Sequence, residues 1–307
     1  MRPAWSVILL TTLIGAGQGL FLAAFCVDLL KANVARDLVM ASCAVSLLLL
    51  AAGLIASFFH LGHPERAWRA ASQWRTSWLS REVIVLPAFM AFVFLYGALH
   101  FLQSERSFIL MTGFAAAILC IALFVCTAMI YACLKFLQEW HSPFTLLNYF
   151  LLGTASGLTL AVPLAVFAYP QFAGPLSLAA FALGGVAWLA RCASLLRNAR
   201  LRPKSTLASA IGVAHPRIVQ KAQGFMGGSF NTREFFHGRP DRVVRAVRWA
   251  FLILAFPVPA WLLGWGGGSL QAYSAAFAIQ FAGLLAERWT FFAEARHPQN
   301  LYYQSMA

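Results

Sequence analysis

The chain has 307 residues, of which 61% are hydrophobic and 11% charged, and its mean hydropathy is +0.72. Apolar runs of about 20 residues recur from one end to the other, which excludes a soluble globular domain; the runs must be helices, because an open strand edge in lipid leaves backbone donors and acceptors unpaired. The net charge of +13 lies between the runs, where it serves orientation and contact with anionic lipid rather than nucleic acid.

Eight spans fit, over 4–27, 38–60, 81–102, 107–132, 146–169, 173–195, 246–265 and 269–289. The expected fold is an all-α integral membrane protein, a single eight-helix domain over 1–307 with no soluble domain. The first apolar run follows a signal-like Arg2 but continues through Cys26, longer than a signal core, so it reads as a first span. Gly15, Ala16, Gly17 and Gly19 in the first span, and Gly153, Ala155, Ser156 and Gly157 in the fifth, allow close backbone approach and place both helices centrally. Gln18 lies among them, either as an interhelical hydrogen bond or as the lining of a ligand cleft. Pro163, and Pro257 with Pro259, are expected to kink the fifth and seventh spans.

Between the second and third spans runs HLGHPERAWRAASQWRTSWLSRE, from His60 to Glu82, with two of the seven His, two of the ten acidic residues and four Arg. Elsewhere the ionisable groups keep away from the apolar runs, so this cluster belongs where hydrocarbon meets water. Quinone chemistry requires such parts, since two protons accompany two electrons and the ring oxygens need partners in an apolar pocket. A partly buried His60 or Glu82 can have its pKa moved toward working pH, and Arg66, Arg75 and Arg81 can hold Glu82 ionised or bond a ring oxygen. The alternative from composition is an interfacial charge network that anchors helix ends.

The sixth loop, about 196–244, is the one extramembrane segment with room for structure. It is punctuated by Pro216, Gly227-Gly228, Gly238 and Pro240, with only Glu234 and Asp241 acidic, and is read either as a basic lip over anionic lipid or as a dock for a soluble subunit. Of the 23 Lys and Arg, 20 fall on the side of the termini and the even-numbered loops, against Lys31, Arg36 and Arg106 opposite, which places both termini and the His60–Glu82 stretch in the cytoplasm. Cys26, Cys43, Cys120, Cys126, Cys133 and Cys192 form no C-x-x-C, so no metal ligand set is expected. Only His60 and His100 fall in spans, near opposite faces, which leaves haem without a facing axial pair. A small-molecule transporter is a distant alternative, lacking an internal repeat and an acidic residue at mid-span.

H-L-G-H-P-x-R-A-W at 60–68, S-R-E at 80–82 and E-R-W-T-F-F at 287–292 together resemble the membrane anchor subunits of dimethyl-sulfoxide-reductase-type molybdenum enzymes. The resemblance implies an eight-helix anchor in the bacterial inner membrane, without haem or cluster of its own. Its partners would be a four-cluster iron–sulfur subunit and a molybdopterin catalytic subunit, and it would exchange electrons with ubiquinone or menaquinone. His60 and Glu82 then stand at the family's quinone-site histidine and essential glutamate, and Gln18, Gly62, Pro64, Arg66, Arg75, Ser80, Arg81 and Arg288 complete the expected site. Arg81 replaces the family's usual Asn. The basic sixth loop and the tail ARHPQNLYYQ are similar to the sulfite-oxidising branch, which implies sulfite oxidation coupled to quinone reduction; the alternative is a quinol-oxidising anchor of a dimethyl sulfoxide or other S- or N-oxide reductase.

Overall fold

The computed structural model describes residues 1–30, 35–215, 217–219, 221 and 234–301, and every regular element among them is helical. Lys31, Pro216, Gly227, Gly228 and the tail beyond 301 lie outside the described residues. In chain order the helices are α1 (Trp5–Leu30), α2 (Arg36–Phe58), α3 (Trp78–Phe101), α4 (Arg106–Ala132), α5 (Pro143–Ala168), α6 (Ala173–Ala199), the short α7 (Leu207–Ile211), α8 (Asp241–Leu254), α9 (Pro257–Trp265) and α10 (Leu270–Ala293).

Seven segments among the described residues are long and apolar enough to cross a membrane, α8 and α9 counting as one over Asp241–Trp265. The eighth, α10, has the length at 24 residues but carries Gln271, Gln280, Glu287 and Arg288. It can do so because Gln280, Glu287 and Arg288 are buried against protein rather than lipid. Pro257 and Pro259 break the seventh span outright, since α8 stops at Leu254 and α9 restarts at Pro257, as a missing N–H and the restricted residue before proline dictate. Pro163, by contrast, sits inside an unbroken α5.

The small residues do what their spacing suggests. α1 packs against both α2 and α5, and a Cβ on Gly157 would overlap the backbone of Gly19 and Leu20, while one on Gly19 would overlap Gly153. These helices are in backbone contact at the centre of the bundle, and α6, α10 and the α3–α4 pair are arranged outside them.

Connector contacts sort the two ends. At one, Met1 donates to the Ala295 carbonyl, Trp140 Nε1 to Phe291 and Arg197 to the Gln138 carbonyl, gathering the N-terminus, the α4–α5 and α6–α8 connectors and the C-terminal segment. At the other, Arg36 reaches the Phe101 carbonyl and Arg106 reaches Asp28. The α2–α3 connector belongs to the first end, because the start of α3 faces the end of α4.

Two expectations are corrected. α2 ends at Phe58, so His60 lies outside the helix, whereas α3 begins at Trp78 and takes Glu82 more than a turn inside. Ionisable groups also do not keep away from the spans: Asp28, His100, Arg191, Glu287 and Arg288 are all buried within helices. They are tolerated because they pair: Asp28 lies against His100 and Arg106 of other helices, and Glu287 against Arg191 of another helix and its own neighbour Arg288.

Candidate functional site

The connector between α2 and α3 lies outside the bundle. Pro64 opens a 3₁₀ segment, Pro64–Gln73, with Glu65 in its first turn and no buried residue. Its arginines lie on tryptophans: Arg69 on Trp68 at 5.5 Å, Arg75 on Trp74 at 5.4 Å and Arg81 on Trp78 at 4.2 Å. Such pairs suit the membrane–water boundary, where the ring meets hydrocarbon and the charge meets water. Glu65 faces His63 at 3.0 Å and Arg66 at 3.6 Å. His60, Gly62, Pro64, Arg66 and Arg75 are all on the exposed connector, where partial burial lowers the pKa of His60 by disfavouring the imidazolium.

Ser77 caps α3 by accepting from the Ser80 backbone N–H, and this start sets the helix register. Successive side chains on a helix turn by about 100°, so neighbours face different ways. Arg81 turns back, donating to the carbonyls of Trp74 at 2.9 Å and Arg75 at 2.8 Å, and so ties the connector to the helix. Glu82 turns inward and is 6% exposed, and its carboxylate accepts a hydrogen bond from the Thr127 hydroxyl on α4. Its hydrogen-bonding partner is therefore a hydroxyl, and the arginines expected to hold it ionised are engaged elsewhere.

Thr127 leads further in. With Gln18 of α1, Tyr149 of α5 and Arg288 of α10 it lines a cavity of about 20 Å³, enough for a water molecule. Gln18 makes the interhelical hydrogen bond, its Nε2 donating to the Cys120 carbonyl at 2.9 Å, and its side chain lines this water-sized cavity. Arg288 lies 3.7 Å over the Tyr149 ring. Its neighbour Glu287, fully buried, pairs with Arg191 of α6 at 2.7 Å and with Arg288 at 3.3 Å. A second cavity, about 10 Å³, shares Tyr149 and Arg288 with the first and extends to Glu139 and Glu294 at the end of the bundle that carries the connector.

The expected site residues thus fall into two sets. Glu82, Gln18 and Arg288 are brought together around Thr127 and the first cavity, with Ser80 buried near the start of α3. The connector residues stay outside on the surface. Sequence reasoning missed Thr127, Tyr149, Arg191 and Glu287. The adjacent charges of Glu287-Arg288 in an apolar helix, and the lone Arg191 in another, were signals that could have been paired, whereas Thr127 and Tyr149 carried none.

The family model described as DMSO reductase anchor subunit (DmsC) matches residues 1–214, which include the connector and both expected catalytic residues. The chain belongs to this family. Over its whole length it is also similar to a protein of Allochromatium vinosum named as a sulfite dehydrogenase subunit, with 52% identity in an alignment of 333 positions that covers 100% of both chains. Family membership and the apolar helices together make the chain a multi-pass membrane anchor of an oxidoreductase complex. The full-length alignment carries the likeness past the family match and over α8, α9 and α10, where Glu287 and Arg288 lie.

Proposed function

We propose that the chain is the quinone-reactive anchor of a sulfite-oxidising molybdenum enzyme in the bacterial inner membrane, receiving electrons from an iron–sulfur subunit and delivering them to ubiquinone or menaquinone. The observation that carries this reading is Glu82: a buried carboxyl just inside a span, hydrogen-bonded to a hydroxyl, beneath an exposed connector rich in Arg, His and Trp. A carboxyl in this place can hand a proton to a quinone oxygen from within the apolar layer, while His60 at the boundary holds the ring from the outer side. The soluble partners supply the electrons, through a four-cluster iron–sulfur chain from a molybdopterin centre. What this chain supplies is position and protons. The name of the full-length relative favours sulfite as the partner's substrate.

Orientation supports the same reading. Arg191 and Arg288 are paired internally with Glu287 and bear little on topology, yet 18 basic residues remain on the connector side against three opposite. This excess supports a cytoplasmic position for the connector, the termini and the soluble partners. The alternative, quinol oxidation by a dimethyl sulfoxide reductase, is favoured by the description of the family. Sulfite-dependent quinone reduction by the purified complex, measured beside quinol-dependent dimethyl sulfoxide reduction, separates the two.

Substitution of Glu82→Gln or His60→Ala is expected to leave the complex assembled, to lower quinone reduction by roughly 100-fold, and to spare electron transfer from the soluble subunits to ferricyanide. Normal quinone turnover in both assembled variants overturns the assignment. An alkaline-phosphatase fusion at the C-terminus is expected to be inactive; an active one overturns the orientation and removes the support that orientation lends to sulfite.

A further inference from the structure

Glu82 is cut off from water, yet a carboxyl that protonates quinone must be reprotonated each cycle. The two cavities supply a route. Both are lined by Tyr149 and Arg288; the inner one touches Thr127, the partner of Glu82, and the outer one reaches Glu139 and Glu294. Their volumes, about 20 and 10 Å³, fit single waters and exclude a quinone ring.

The mostly apolar walls carry unfinished polar groups. The Asn148 Oδ1 and the Arg191 Nη2 are buried without a hydrogen-bond partner, each on a residue no more than 5% exposed, and the equally buried Tyr149 hydroxyl faces Tyr131. Buried polar atoms in native proteins find partners, and where protein supplies none, water does. Of the acids lining the outer cavity, Glu287 is paired with Arg191 and Arg288 and Glu294 with Arg248 at 2.6 Å, while Glu139 stands nearest the connector-side water. Around Glu82 itself stand Cys126, Thr127 and Tyr131 on α4 and Tyr149 on α5.

We propose that these groups form a hydrated proton path running from the connector-side water past Glu139 and Glu294, along Tyr149 and Thr127, to Glu82; the proposal rests on the reading of Glu82 as the group that protonates quinone. Each quinone reduced to quinol takes two electrons from the iron–sulfur subunit and two protons. For each proton that leaves Glu82 for a quinone oxygen, one O–H bond breaks at the carboxyl and one forms at the quinone. The Thr127 hydroxyl then passes its proton to the carboxylate and takes another from the cavity water, and the series ends with one proton withdrawn from bulk water. Tyr149 and Thr127 are positioning and relay residues that do not touch quinone.

The test uses the whole assembled complex, with sulfite as reductant and either a short-chain quinone or ferricyanide as acceptor, across pH 6 to 9 in the order-of-magnitude window where neutral-pH acids and bases act. Thr127→Val and Tyr149→Phe are expected to lower kcat for quinone about tenfold, with the deficit growing as pH rises and protons become scarce, while KM for quinone and the ferricyanide rate stay within about twofold. Thr127→Ser, which keeps the hydroxyl, restores the rate. Values of kcat within about twofold of the unsubstituted complex at every pH in both Val and Phe variants overturn the path. So does a raised KM with unchanged kcat, which makes these residues quinone contacts. Should Thr127→Val fail to assemble, as its absence from the co-purified complex reports, Tyr149→Phe against Thr127→Ser decides the matter. Glu82→Gln, run in parallel, keeps the two readings apart: if it retains quinone turnover the function itself fails, and if it alone is impaired only the path does.

Discussion

Each end of the bundle buries a set of charged groups, and the two sets are built differently. At the end away from the connector, Asp28 of α1 is 2% exposed and saturated. One carboxylate oxygen accepts from Tyr96 and lies 3.3 Å from His100, the other accepts from Arg106 at 2.7 Å, and Arg106 also holds the Asp28 carbonyl at 2.9 Å. Phe21, Phe25 and Tyr96 close around it edge to face. At the connector end, Glu287 sits between two arginines, but cavities adjoin the cluster and several polar atoms have no partner. A buried carboxylate with both oxygens bonded fixes helices in place; a charged cluster with room for water beside it leaves protons free to move.

The widest separation between the ends comes from deleting an acid at each. Asp28→Ala leaves Arg106 without its carboxylate and is expected to destabilise the membrane subunit by about 3–5 kcal/mol. Turnover per assembled complex with quinone should not change, because Asp28 is remote from Glu82. Glu287→Gln should cost both stability and quinone turnover, since it leaves Arg191 and Arg288 facing one another beside the cavities. Thermal unfolding in detergent and quinone kinetics on the same preparations check this, and a turnover loss in Asp28→Ala matching that in Glu287→Gln removes the distinction between the ends.

Next in size is the seam that joins the ends. Gly157→Ala puts a methyl into the backbone of Gly19 and Leu20 and is expected to cost about 1–3 kcal/mol as α1 and α5 are pushed apart. Gly174→Ala, where an added Cβ meets nothing, serves as the control and should unfold with the unsubstituted chain. Since alanine favours helix over glycine, equal losses in the two would show that something other than the close approach governs this position.

The parts of this architecture that recur at short range were legible in the sequence. Apolar runs mark the spans, Gly-x-x-x-Gly at 15–19 and 153–157 marks the seam, and Pro257 marks the break in the seventh span. The charged clusters were not legible, because their partners are far apart in the chain: Asp28 with Tyr96 and Arg106, Arg191 with Glu287. Taken alone, Arg191 near the end of its span looks like a loop charge that reports topology, and only the fold turns it into an internal counter-ion. Glu82 shows the same limit on a smaller scale. Three arginines close in sequence suggested its partners, yet a rotation of about 100° per residue sends Arg81 out to the connector and Glu82 in toward Thr127.

The smallest effect on the chain itself is expected at its surface. Arg239, Arg242 and Arg245 are exposed where the sixth loop enters α8, on the same end as the connector. Reversing all three to Glu removes no buried partner, so the melting temperature of the isolated membrane subunit should stay near its original value, within the about 0.5 kcal/mol usual for surface changes. A partner face complementary to this patch would, however, meet charge of the opposite sign at all three positions. The soluble subunits should therefore dissociate from the triple variant in a co-purification at moderate salt and stay bound to the unsubstituted chain, the difference widening at low salt, where charge acts over a longer range, and shrinking as added salt screens it. Retention that is the same at every ionic strength assigns the patch to the lipid surface instead, and the variant's affinity for vesicles containing anionic lipid, falling by about 1 kcal/mol per charge removed, then measures that role.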